Sequence, residues 1–207
     1  KPVMGFMLNG AQGDDDEALA GHLSFFTGVY PPHGSMADWM FDNFYDMDII
    51  NEKGITASLV PLDKYLADLN NGQNWYRPTY MLVMVMKDKR APLEIQEAFK
   101  GQYARYYAHE IKYDRTHNSC AALIVDPLRD EGWRMPEEGP TPAFLAFALS
   151  KTIQLVSEDP TTGKQVYDLL REEPTRLFPR AAFSAAGQAV LRLARAGADG
   201  RELSILE

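Results

Sequence analysis

Tyr113-Asp114-Arg115-Thr116-His117-Asn118-Ser119-Cys120-Ala121-Ala122-Leu123-Ile124-Val125 is the stretch on which the reading of this chain turns, because it sets the only cysteine at the start of an apolar run. Asn118 reads as an N-cap, with Ser119 and Cys120 in the first turn and Ala121 to Val125 as the body of a buried helix. A thiol placed there meets unsatisfied backbone N–H groups and the positive end of the helix dipole, both of which favour thiolate. Free cysteine is equally among the most buried residue types and packs as a small hydrophobe. The surrounding elements have to decide between a nucleophile and a core residue.

Working outward, Pro92 opens a helical pattern running to about Lys112, with apolar or aromatic positions at Leu93, Ile95, Phe99, Tyr103, Tyr106 and Tyr107. Tyr80 to Met86 is apolar on both faces, as expected of a central strand covered on both sides. Gly21 to Tyr30 alternates as a strand, with His22, Ser24 and Phe26 on one face and Leu23, Phe25 and Thr27 on the other. Trp39 to Asp48 and Ile55 to Leu59 read as further extended segments, and Lys64 to Leu69 as a short helix. Residues 1–20, punctuated by Gly5, Gly10 and Gly13, read as a lead-in followed by the acidic loop Asp14-Asp15-Asp16-Glu17, which lacks the spaced ligands of a calcium site.

On the C-terminal side, Gly132, Pro136, Gly139, Pro140 and Pro142 mark a linker or wrapping loop. Helical patterns follow at 143–156, 162–172 and 179–196, and 203–206 returns as a short strand. The expectation is an α+β core over residues 1–135, an antiparallel sheet packed on helices, with a helical extension over 136–207 packed on or beside it.

With 21 Lys and Arg against 29 Asp and Glu, the net charge of −8 argues against a phosphate-binding surface, so nucleic acid is not an expected partner. No apolar run approaches the roughly 20 residues of a membrane span. Phosphate loops, His-Glu-x-x-His metal motifs and Gly-x-Ser-x-Gly elbows are missing from the sequence, so no metal or cofactor is expected.

A thiol nucleophile needs a base and a group that orients the base. Of the four histidines, His117 lies three residues from Cys120, His109 ends a long helix, His33 sits in a Pro-Pro-His-Gly turn, and His22 opens a strand, a rigid place from which to face a helix end. Gly21-His22-Leu23-Ser24 followed by His117-Asn118-Ser119-Cys120 resembles the circularly permuted papain-like thiol hydrolases, which include NlpC-type peptidases and lecithin:retinol acyltransferase relatives. That resemblance covers roughly residues 18–130. It implies Cys120 as nucleophile, His22 as general base, and backbone N–H groups around Asn118 and Ser119 as oxyanion support. His33, Asp42, Asn43, Tyr45 and Asp46 remain open as the orienting residue. The implied activity is hydrolysis of an amide or ester, or acyl transfer, through an acyl-thioester on Cys120. The substrate would be an envelope peptide or an acyl lipid, with the bacterial periplasm or cell envelope as the location. The alternative is a non-catalytic binding or structural module of the same fold, with Cys120 buried.

Overall fold

A computed structural model describes residues 1–10, 21–30, 32–44, 58–70, 78–87, 89–114, 117–135, 141–157, 160–197 and 203–205. The strands are β1 (Pro2–Asn9), β2 (His22–Val29), β3 (Met40–Asn43), β4 (Ser58–Pro61), β5 (Thr79–Met86) and β6 (Leu203–Ile205). Helices are α1 (Leu62–Asn70), α2 (Arg90–Tyr107), α3 (Ala122–Asp130), α4 (Ala143–Ser157), α5 (Pro160–Arg171), α6 (Pro174–Leu177) and α7 (Pro179–Gly197). The class is α+β: six strands form one sheet in the order β4-β3-β2-β1-β5-β6, and every neighbouring pair is antiparallel.

The sequence led to β5 as a central strand; it is interior, paired with β1 on one side and β6 on the other, but the middle of the sheet is the β2–β1 pair. Gly5 disguises β1. Gly5 lies opposite Phe26 and Val83, and a Cβ there would run into the Leu82 carbonyl oxygen and the Phe26 ring, so the residue that breaks the strand signal is the one that lets the strands close. Leu82 and Val83 are only half-buried and Tyr80 is 56% exposed, so β5 is less enclosed than its composition suggests.

Alternation divides the sheet into two faces. Met4, Phe6, Leu23, Phe25 and Met84 point to a large core completed by Ile95, Phe99 and Tyr103 of α2, by Leu123, Ile124 and Leu128 of α3, and by Ala182, Ala185, Ala186 and Val190 of α7. Val3, Met7, Phe26, Phe41, Val60 and Val85 point the other way, into a smaller core closed by Trp39 and by Tyr65 of α1. Within it Phe26 stacks on both Trp39 and Phe41, and Phe41 stacks on Tyr65.

The residues after 136 do not behave as one unit. The alanine face of α7 lets that helix into the main core, and β6 adds to the sheet beside β5. By contrast α4 and α5 form a hairpin, and among the described residues each finds its extensive packing only in the other. Ala146 and Ser150 on α4 are buried in this contact, and an added Cβ on Gly163 of α5 would press on Gln154 and the Ser150 carbonyl.

Candidate functional site

The turn leading to Cys120 is closed by backbone bonds in both directions between Asp114 and Asn118 (3.0 and 3.3 Å). Asn118 is not the cap: its amide donates to the Lys112 carbonyl at 3.1 Å and is spent on the turn. Ser119 takes the capping role. Its hydroxyl accepts from Ala122 N (3.3 Å) and donates to the Arg176 carbonyl (2.6 Å), and α3 begins at Ala122, leaving Cys120 and Ala121 in the lead-in turn. Arg176 locks this arrangement from α6, with its guanidinium on Asp126 (3.0–3.3 Å), Glu172 (2.6 Å) and the His117 carbonyl (3.1 Å). Cys120 is 5% exposed and belongs to the large core, on the side of Leu23 and Phe25.

His22 faces the other way. It pairs across the sheet with Asn9, and its ring stacks on Tyr65 at 6.3 Å on the α1 side. Tyr65 donates to Asn9 Oδ1 (2.9 Å), and Asn9 Nδ2 donates to Thr79 Oγ1 (2.9 Å). Next along this face comes Ser24, and continuing the β2–β3 register sets Asn43 opposite it. Ser24 Oγ and both amide atoms of Asn43 are buried with no hydrogen-bond partner among the described residues. The structure therefore gathers His22 and Asn43, together with Ser24, Asn9 and Tyr65, into a buried polar row on the α1 side of the sheet, with the half-buried Thr79 at its edge.

The sheet stands between that row and Cys120, contrary to the expectation that the cysteine would face the His22 strand side chain. Because side chains alternate with a period of two, only a one-residue shift of β2 would bring His22 to the cysteine face, and that shift would expel Leu23 and Phe25 from the core. None of the other histidines takes its place. His33 is exposed in a groove of about 720 Å³ also lined by Pro2, Val29 and Leu93. That groove lies at the opposite end of β2 from His22, roughly 23 Å away at about 3.3 Å per residue. His109 is exposed at φ 59°, where α2 terminates. The His117 ring is 65% exposed, with Nδ1 3.6 Å from Asp114.

Of the remaining candidates for an orienting residue, Tyr45 and Asp46 lie outside the described residues, as does the acidic loop at 14–17. Asp42 is on the cysteine face, in line with Phe44 and opposite Leu59. It is 2% exposed and its Oδ1 has no hydrogen-bond partner among the described residues, so burial raises its pKa well above the ordinary value. Tyr103 stacks on Phe44 at 4.2 Å and accepts from the Asn43 backbone N–H at 2.6 Å. Burial first, and then the proximity of Asp42, raise the Tyr103 pKa.

Sequence reasoning missed Asn9, Tyr65 and Thr79. Asn9 ends the strand hidden by glycines, and the usable signal was the apolar run Val3, Met4, Phe6, Met7, Leu8 that precedes it. Among the described residues no group of three or more His, Cys, Asp and Glu side chains converges as a metal site would require.

No family model matches this chain, and no curated protein or solved structure is detectably similar to it. The resemblance to permuted thiol hydrolases therefore rests on the short motifs around His22 and Cys120 alone.

Proposed function

We propose that this chain is a non-catalytic binding or structural module in which Cys120 is a core residue. The observation that carries the reading is that Cys120 is buried in the core on the Leu23 and Phe25 face of the sheet, whereas the His22 side chain leaves the opposite face of the same strand. Thiol catalysis through an acyl-thioester, whether peptide hydrolysis or acyl transfer, requires a base within hydrogen-bond reach of the sulfur, directly or through one water. An intervening sheet layer denies that contact. Cys120 is 5% exposed and belongs to an apolar core, and burial in apolar surroundings disfavours a charged sulfur.

Alkylation by iodoacetamide at neutral pH tests this. The expected result is that native Cys120 reacts more slowly than a free thiol of pKa about 8.5, that urea accelerates the reaction, and that His22→Ala leaves the native rate unchanged. Labelling faster than a free thiol and slowed by His22→Ala would reinstate the enzyme.

A further inference from the structure

Beyond the large core, the α2 face of the sheet runs out into an open groove of about 720 Å³, the size of a small-molecule pocket. Pro2, Thr27, Val29 and Met40 make its floor. Alternation puts all four on the face of Met4 and Phe25, and the register sets Pro2 opposite Val29 and Thr27 opposite Met40. Leu93 of α2 lines the same groove. Val29 is 44% exposed and Leu93 58%, so this apolar lining carries the core outward and leaves it open to solvent.

Thr27 is the polar group of the floor. It is 7% exposed, and its backbone is paired to Met4 on β1 and to Met40 on β3, so it meets the groove through its side chain. The hydroxyl has no hydrogen-bond partner among the described residues. A buried hydroxyl left unpaired costs free energy that a bound ligand recovers by pairing it.

The rim is cationic. Lys1, held at the sheet end by the bond from the Tyr30 N–H to its carbonyl (2.7 Å), and Lys89 both line the groove. Neither side chain has an ion-pair partner among the described residues. Lys89 is also the N-cap residue of α2, where no side chain caps the helix and no acidic residue occupies the first turn. The positive end of the dipole therefore adds to the lysine charge. Among the described residues Asp38 is the one carboxylate lining the groove, and it is engaged locally, accepting from the Ser35 N–H at 3.3 Å. Two lysines against one carboxylate leave a single positive charge unmatched.

We propose that this groove binds a small amphipathic monocarboxylate. Its apolar body lies on Pro2, Val29, Met40 and Leu93, and its carboxylate is met by Lys1, Lys89 and the Thr27 hydroxyl. Charge selects this occupant. An uncharged lipid would leave both lysines unused, and a polyanion would find one unmatched charge on a chain of net charge −8. The site lies apart from Cys120 and does not depend on the role of that thiol.

Isothermal titration of the full chain with decanoate, and with decanol as its uncharged analogue, tests this. The expected result is one saturable site for decanoate with Kd below about 1 mM, and binding of decanol weaker by about tenfold. Lys89→Glu and Leu93→Asp should each weaken decanoate about tenfold and Thr27→Val about threefold, all with the wild-type circular dichroism spectrum. Phe144→Ser, at an exposed position of α4 that does not line the groove, should leave the affinity unchanged. Absence of a saturable site overturns the inference, as do equal affinities for decanoate and decanol, or Lys89→Glu and Leu93→Asp variants that bind like the wild type. So does binding that Phe144→Ser abolishes and Leu93→Asp retains, since the ligand would then sit on α4.

Discussion

Replacing Asp42 with Asn should stabilise the protein increasingly as the pH rises. Asp42 is 2% exposed, lies opposite Leu59 and is near enough to Tyr103 for its charge to raise that hydroxyl's pKa. Its Oδ1 finds no hydrogen-bond donor among the described residues. Burial raises its folded pKa well above the ordinary carboxyl value of about 3.9. The sign follows from proton counting. Above the ordinary value the unfolded chain has released this proton while the native state still holds it, so stability is full at acid pH and falls as pH rises, until the folded pKa is passed. Within that window the slope is about 1.4 kcal/mol per pH unit. Asn has nearly the shape of the protonated acid and does not titrate, so the variant lacks this slope. Urea unfolding of both proteins at pH 5, 6 and 7 measures the difference. It should grow in favour of Asp42→Asn by about 1.4 kcal/mol per unit while both pH values lie within the window, with the m-value unchanged. A difference that stays constant with pH, or grows in favour of the wild type, would refute the claim that the carboxyl is buried without compensation.

Two other substitutions probe the frame. Gly28→Ala would drive a Cβ into the Trp39 indole, which stacks on Phe26 and donates to the Val29 carbonyl at 3.0 Å, so a loss of about 1–3 kcal/mol in urea unfolding is expected; a neutral result would mean that Trp39 moves freely. Glu173 holds Arg129 through two bonds (2.6 and 2.9 Å) with both side chains more than four-fifths buried, and it also accepts from Thr175. Burial alone would raise the Glu173 pKa, but the bonds from Arg129 and Thr175 outweigh it and lower it. Glu173→Gln should therefore cost about 2–4 kcal/mol at neutral pH. That cost should shrink as acid protonates the wild-type carboxyl below its ordinary value, and thermal melts at pH 7 and pH 3 would show whether it does.

Much of the fold was legible because hydrophobic period reports local geometry directly. The alternation of His22 to Thr27 gave β2 and its two sets of side chains, and the patterns at 143–156 and 179–196 gave α4 and α7 nearly to their ends. Gly5 concealed β1, since a residue selected for close strand contact removes a side chain from the pattern that identifies a strand. Pro127, a residue type that usually ends a helix, lies buried inside α3. Asn118 read as a cap by residue type, but the cap is the residue whose side-chain oxygen meets a free N–H of the first turn; Ser119 Oγ accepts from Ala122 N, while the Asn118 amide turns back to donate to the Lys112 carbonyl.

By itself the sequence determined that His22, Ser24 and Phe26 share one face of a strand and that Cys120 introduces a buried helix. Which face of the strand meets that helix is a different kind of fact. Period-two alternation sorts side chains into two sets but does not say which set turns towards which layer. That was decided by the pairing of Asn9 with His22 and Phe6 with Phe25, and by Tyr65 and Leu123 packing on opposite sides of the sheet. Tertiary structure alone, through that choice of face, separated a histidine and a cysteine that their order in the chain had seemed to unite.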